Sequence, residues 1–285
     1  MLKLKNPILW VFAFPAGELV GRFKEKVSIY FCNDPHYLFA PAGKKREGII
    51  KIEQELIKKV DFVFAVSHTL VEEKKVFNKS THLIPHGVRI DLFNNAGSIV
   101  PTEYEQISSP RIGFVGVLGG KLDYELIDYV AERRGDWEIV LIGPVAEADQ
   151  IHRQWIEKLK ERPNVHFLGN KAPEELPNYI KALDVCLLPY KKSAFSRMFW
   201  VPLKFYEYLA AGRPIVSNVI LRGAMEYDES VVRTTENREL FIEMIEKSLN
   251  NDSDELISKR KIIARNNSWQ KRIDKIHSLV ALNEK

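Results

Sequence analysis

Short apolar runs, turns and amphipathic stretches alternate from one end of the chain to the other. In the first third, residues 8–13, 27–31, 62–66 and 83–84 read as strands, being brief, rich in branched or aromatic residues and bounded by turn formers. Helical stretches lie between them at 43–58 and 68–77, and Ser67 suits the N-cap of the second, with Glu72 and Glu73 soon after. From 91 to 110 the period is lost among Asn94, Asn95, Gly97, Pro101, Ser108, Ser109 and Pro110, the composition of a linker.

A second series follows at once. Strands at 112–117, 138–142, 165–168, 185–188 and 215–217 alternate with helices at 122–134, 149–161, 173–182 and 202–211. Strands that are apolar throughout, separated by helices of about 10–15 residues, predict a parallel sheet covered on both faces. Right-handed crossovers then give a doubly wound domain. Helices at 237–249, 253–265 and 268–281 close the chain. The pattern predicts an α/β protein of two doubly wound, Rossmann-like domains, with ligands at the carboxyl ends of the strands facing a cleft.

The segment from Val201 to Ser217 carries the clearest chemistry. Pro202 suits the first helical position, Gly212 a left-handed helix stop, and Pro214 prevents the helix from resuming. Trp200 and Val201 precede the helix, so no Ser, Thr, Asp or Asn caps it. Its first amides stay free and form an anion site with the helix dipole. Lys204 stands in the first turn and Glu207 follows on the same face. A cation beside free amides suits a diphosphate, and a carboxylate one turn deeper suits the hydroxyls of a ribose. The plainer alternative is a surface ion pair. Ala210 and Ala211 read as packing residues.

Bulk properties narrow the classes. No run of about 18 apolar residues occurs, which argues against a membrane span, and the opening stretch lacks a cleavage site for a secretory signal. Cys32 and Cys186 sit inside apolar runs and read as buried free thiols in a reducing cytoplasm. His68, His82, His152, His166 and His277 show no ligand spacing, so a zinc site is not expected. Residues 1–100 hold 15 Lys and Arg against 10 Asp and Glu, whereas residues 101–285 hold 27 against 28. The positive excess is therefore local, densest at Lys44, Lys45 and Arg46, and reads either as a solvated face or as a contact for an anionic membrane surface. No basic stripe with interleaved aromatics points to nucleic acid.

Pro202-Leu203-Lys204, Glu207-Tyr208-Leu209-Ala210-Ala211-Gly212 and Pro214-Ile215-Val216 together resemble the donor-binding helix of family 4 glycosyltransferases of the GT-B fold. The likeness is greatest to the branch with teichuronic-acid-type envelope enzymes. Further motifs stand in the family's order: Val60-Asp61 to Ser67, Ile84-Pro85-His86-Gly87-Val88, Gly113-Phe114-Val115-Gly116, Leu141-Ile142-Gly143-Pro144, Val165 to Gly169, and Asn267-Ser268-Trp269.

The resemblance implies transfer of a sugar from a nucleoside-diphosphate donor to a cell-envelope polysaccharide or lipid-linked acceptor, in the cytoplasm or at the inner membrane face. Glu207 would hold the donor ribose, and Lys204 with the helix amides the diphosphate. Gly116, Gly119, Gly120 and Lys121 would form the loop near the phosphates. Gly143, Pro144 and Tyr190 would shape the base pocket, and the loop 195–200 with Arg197 would lie over the donor. No metal or other cofactor is expected, and no Asp-x-Asp sequence is present. Phe199 and Val117 stand where many relatives carry Glu and Arg.

The implied division is a partial N-terminal domain over 1–95, a linker over 96–110, a C-terminal nucleotide-sugar domain over 111–266, and a helix over 267–285 crossing back. Four strands before the linker make an incomplete sheet, whose open edge would pair with a second copy or a partner chain. Asp34 and His36 follow a strand and are candidates for catalysis or for positioning the acceptor; an Asx turn at Asn33 and Asp34 is the structural alternative. A non-catalytic nucleotide-sugar-binding subunit, a truncated product needing a partner, and a sugar-nucleotide epimerase are the rival functions.

Overall fold

The computed structural model describes residues 5–95, 99–146, 150–192, 201–219 and 230–282. Two compact units form: the elements up to His86 belong to the first and those from Gly87 onward to the second. The expected boundary was residue 95. Residues 99–110, assigned to the linker, group with the second unit, as does the last helix.

The first unit holds a four-stranded parallel sheet in sequential order: β1 (Ile8–Val11), β2 (Val27–Cys32), β3 (Phe62–Ala65) and β4 (Thr81–Leu83). Helix α1 (Lys44–Lys59) connects β2 to β3, and α2 (His68–Lys75) connects β3 to β4. Ser67 caps α2 as expected, its Oγ accepting from the Leu70 N–H. Leu56, Ile57 and Val60 of the α1 end, with Leu70 and Val71 of α2, bury Val11, Tyr30, Cys32, Val63 and Ala65 on one face of the sheet.

The second unit holds a six-stranded parallel sheet in the order β10-β9-β8-β5-β6-β7. Its strands are β5 (Arg111–Val115), β6 (Glu138–Ile142), β7 (Val165–Gly169), β8 (Val185–Leu188), β9 (Ile215–Ser217) and β10 (Val232–Thr234). The chain builds outward from β5 through β6 to β7, then returns to the other side of β5 for β8, β9 and β10. This reversal is a doubly wound switch point, and it places a crevice at the carboxyl ends of β5 and its neighbours. The helices are α3 (Ile90–Asn95), α4 (Tyr124–Arg133), α5 (Gln150–Lys160), α6 (Leu176–Lys181), α7 (Leu203–Ala210), α8 (Arg238–Asn250), α9 (Asp254–Asn266) and α10 (Trp269–Leu282).

The stretch expected to be aperiodic contains α3 and a 3-10 turn at Thr102–Gln106. Tyr104 is buried, its hydroxyl donates to the Tyr179 carbonyl, and the Arg111 guanidinium donates to the Tyr104 carbonyl. One aromatic anchor therefore docks a polar segment onto the sheet. Further along, Gly87 meets Trp269 so closely that a Cβ at position 87 would lie 2.8 Å from the Trp269 Cα. Val88 and the start of α10 exchange main-chain bonds there, from Val88 N to Asn267 O and from Trp269 N to Val88 O. Two of the sequence motifs thus complete one joint.

Candidate functional site

The carboxyl ends of β5 and β6 are laced together by main chain. Gly116 N–H donates to the Ile142 carbonyl (2.8 Å), Leu118 N–H to the Pro144 carbonyl (2.9 Å), and Ala146 N–H back to the Leu118 carbonyl (3.1 Å). Gly143 makes this approach feasible: its φ is +137°, and a Cβ on it would lie 2.1 Å from the Gly116 carbonyl oxygen. Gly116 has φ +146°, and the Lys204 side chain lies over its bare Cα. The Lys204 ammonium also stands 5.6 Å from the Phe114 ring centroid. Lys204 of α7 is thereby brought to the ends of both strands.

Helix α7 begins after Pro202, which takes the N-cap and not the first helical position, and no side chain caps it. Its first amides are left to a ligand or water. Gly212 ends it with φ +77°, as the sequence requires. Deeper in the helix, the Tyr208 hydroxyl accepts the Val115 N–H (2.9 Å), fixing α7 against the last residue of β5.

The loop after Gly116 is held from the opposite side. Gly119 O accepts the Tyr124 hydroxyl, Lys121 O accepts the Lys191 N–H, and Asp123 N–H donates to Pro189 O. Tyr190 is buried edge-on against Phe114, with ring centroids 6.1 Å apart. Asn218 joins these parts: its Oδ1 accepts the Tyr190 N–H (2.7 Å) and its Nδ2 donates to Asp123 (3.2 Å). Sequence reasoning passed over Asn218 and Asp123. The position of Asn218 directly after an apolar strand, at its carboxyl end, was the available signal.

Burial governs the charges. It holds the Lys204 ammonium below its usual pKa, with Lys121 acting in the same sense and Glu207 opposing. It pushes the Glu207 carboxyl above its usual value, with Lys204 opposing. Each group of this pair is disfavoured in its charged form by desolvation and favoured by the other. An anion arriving beside Lys204 would favour its protonated form and raise its pKa again.

The glycosyl transferases group 1 family matches residues 109–251, half of the chain. The chain is 30% identical over 281 residues to TuaH of Bacillus subtilis (strain 168), a glycosyltransferase assigned to teichuronic acid biosynthesis; the match covers 92% of this chain and 68% of TuaH. This chain is a group 1 glycosyltransferase. A shorter match, 31% over 100 residues, links it to AmsK, the amylovoran biosynthesis glycosyltransferase of Erwinia amylovora. In fold it is similar to Anabaena HepE in complex with UDP and glucose (TM-score 0.75, 17% identity, 96% of this chain and 77% of that one). It is also similar to sucrose-phosphate synthase of Thermosynechococcus elongatus (TM-score 0.73, 16% identity, 97% and 73%). The fold is GT-B.

Of the residues expected to serve the donor in this glycosyltransferase, the structure gathers Gly116, Gly143, Pro144, Tyr190, Lys204 and Glu207 at one end of the second sheet, with Gly119, Gly120 and Lys121 in the adjoining loop. Arg197 and Phe199 lie outside the described residues. Among the described residues no three His, Cys, Asp or Glu side chains gather as a metal site.

In the first unit, Asp34 and His36 fall at the carboxyl end of β2, as expected. The Asp34 carbonyl accepts the His36 N–H (2.9 Å). The His36 ring lies between Phe14 and Phe39, with centroids 5.4 and 6.2 Å away, and its buried Nε2 makes no hydrogen bond among the described residues. Behind this turn lies a charged cluster that the sequence did not announce. Glu53 is 2% exposed and accepts from the Tyr30 hydroxyl (2.8 Å), the Lys74 ammonium (2.8 Å) and the Cys32 thiol (3.5 Å). Lys74 also faces Glu73 (3.7 Å), which accepts the Tyr37 hydroxyl (3.0 Å). The cluster ties β2, α1, α2 and the 36–39 turn together. Burial pushes the Cys32 thiol up to about 12, with Glu53 adding to the rise. Both cysteines are buried and free.

Proposed function

We propose that this glycosyltransferase takes its sugar from a nucleoside-diphosphate sugar bound at the carboxyl ends of β5, β6 and β8. The observation that carries the reading is the convergence of Lys204, the uncapped start of α7 and two glycine-lined strand ends. The ammonium and the helix amides would carry the charge of the leaving diphosphate without a metal ion. Glu207, three residues further on in α7, would accept from the ribose hydroxyls. HepE was crystallised with UDP and with UDP-glucose, which supports a nucleoside diphosphate as the ligand and UDP as the first to try.

TuaH and AmsK are named for the biosynthesis of teichuronic acid and of amylovoran. We infer an acceptor of that class, a growing envelope polysaccharide or its lipid-linked precursor, met at the inner face of the membrane. No helix among the described residues is long and apolar enough to cross a membrane, so contact with a lipid-linked acceptor would be peripheral. The acceptor side would include Asp34 and His36. The free edge of β1, which pairs only with β2 among the described residues, would serve as a contact for a second copy or a partner.

Calorimetry tests the donor assignment. UDP should bind with micromolar to millimolar affinity in the presence of EDTA, and Glu207→Ala should weaken it roughly 10- to 100-fold, the scale of losing charge-assisted hydrogen bonds. Equal affinity in the folded variant would remove Glu207 from the site. Turnover abolished by EDTA and restored by magnesium would overturn the metal-free reading.

A further inference from the structure

Lys44 and Lys45 occupy the first turn of α1, and both are exposed. The amino end of a helix carries partial positive charge, so cations there are unfavourable and acids favourable. The first turn holds one acid, Glu47, while Lys58 and Lys59 stand in the last turn, where the dipole welcomes them. Folding explains Lys58 and Lys59 and leaves Lys44 and Lys45 unexplained.

The segment leading into this turn is equally unusual. From Pro35 to Arg46 the chain contains no Asp or Glu. Phe39 closes the short 36–39 turn and keeps half of its surface, 50%, in water. Pro41, Ala42 and Gly43 are exposed beside it. The loop nevertheless has a firm base. The Arg46 guanidinium donates twice to the Ala40 carbonyl (2.7 and 3.1 Å), and the Ala40 N–H donates to the Tyr37 carbonyl. Tyr37 is in turn bonded to Glu73 of α2. The result is a loop tied down at its base, carrying exposed Phe39 and, five and six residues later, exposed Lys44 and Lys45, built shortly after β2 ends. Dispersed cations alone would suit any polyanion, but an exposed Phe in the same loop suits a surface that is anionic outside and apolar within.

We propose that this loop, through Phe39, Lys44 and Lys45, docks the first unit onto an anionic phospholipid bilayer. The ring enters the acyl boundary and the two ammonium groups meet phosphate head groups. The proposal deepens the peripheral contact with the membrane inferred above. It also brings Asp34 and His36, a few residues upstream, next to the bilayer surface where a lipid-linked acceptor would present its sugar.

The test is flotation of the full chain with vesicles of phosphatidylcholine alone or mixed with phosphatidylglycerol. Binding should require the anionic lipid and weaken with salt. Removing both charges in Lys44→Gln/Lys45→Gln should lower the partition coefficient on the order of 30-fold, from roughly a fivefold effect per surface cation. Phe39→Ser should lower it roughly 10-fold. Lys58→Gln/Lys59→Gln removes the same charge from the other end of α1 and should change little. A Phe39→Trp variant should fold, bind, and show extra fluorescence quenched by brominated lipid. UDP affinity, measured in parallel, should be unaltered in every variant, which separates failure of docking from failure of the donor reading. The proposal is overturned by equal binding to neutral vesicles, by equal losses from the two lysine pairs, by extra fluorescence of Phe39→Trp that brominated lipid leaves unquenched, or by no vesicle binding at all. Displacement from vesicles by a soluble anionic polysaccharide as readily in Phe39→Ser as in the parent would also overturn it in favour of a glycan-binding loop.

Discussion

The Lys204 side chain fills the space that a side chain on Gly116 would need: a Cβ there would sit 1.8 Å from Lys204 Cε and 2.5 Å from its Nζ. The two residues lie on different elements, yet the absence of one side chain is the condition for the placement of the other. Gly116→Ala should therefore fold with Lys204 displaced, and UDP affinity should fall about 10- to 150-fold, the range for losing a hydrogen bond to a charged group. Calorimetry on the variant, with circular dichroism as the check on folding, measures this. Unchanged affinity would mean that Lys204 does not serve the diphosphate from this position.

Burial keeps the Lys204 pKa below the ordinary lysine value. A bound diphosphate favours the protonated form and raises that pKa again, so binding is linked to proton uptake. UDP affinity should fall as pH rises through the depressed pKa of the free protein. Titrations in two buffers of different ionisation enthalpy should report net proton uptake at alkaline pH. Lys204→Met should bind weakly and without that pH dependence.

Glu53 and Lys74 form an ion pair that is almost wholly buried. Removing one partner strands the other charge in the core, and such losses run to about 3–5 kcal/mol. Glu53→Ala should destabilise the first unit by that amount, whereas the apolar pair Glu53→Leu/Lys74→Met should recover most of it. Urea titration followed by thiol labelling measures both. Cys32, buried and with its pKa pushed up to about 12, reacts only when the unit opens.

Acid should loosen the docking of the 102–106 turn. Hydrogen bonds from Lys171 and then Tyr179 hold the Glu103 carboxyl down at about 2, against an ordinary value of 4.5. A carboxylate with a lowered folded pKa contributes stability above its unfolded value, and that contribution is lost as pH falls from 4.5 towards 2. Glu103→Gln should lack this part of the acid transition, measured by tyrosine fluorescence across that range. Identical acid profiles in variant and parent would show that the contact carries no stability.

Much of this was legible from residue order. The strands Glu138–Ile142, Val185–Leu188 and Ile215–Ser217 lie where their apolar runs place them, because central parallel strands are buried on both faces and read as nearly continuous apolar runs. That Lys204 and Glu207 lie together on α7 was legible because residues three apart in a helix share a face, and the helix stop at Gly212 because a glycine takes the positive φ found there. The edge strand β10 was not, since Val232–Thr234 holds one apolar residue and an edge needs no more. Nor was the docking of Tyr104, which rests on a single ring in a polar stretch. The Glu53–Lys74 pair is the plainest failure. An acid and a base on two helices read as solvated charges, and only the fold shows that their faces meet over Tyr30 and Cys32.

The lacing of β5 to β6 has a consequence for how this enzyme could change. Beneath Lys204 the floor of the site is bare peptide, held by N–H and carbonyl groups that every residue supplies. Mutation can scarcely alter such a floor except by breaking it, as any side chain at position 143 would. The neighbouring rim is the opposite. Val117 and Val145 stand in the two laced segments, 56% and 50% exposed. If the donor binds as proposed, preference for one nucleotide sugar over another would drift at exposed positions such as these two valines, residue by residue, while the socket itself stays as it is.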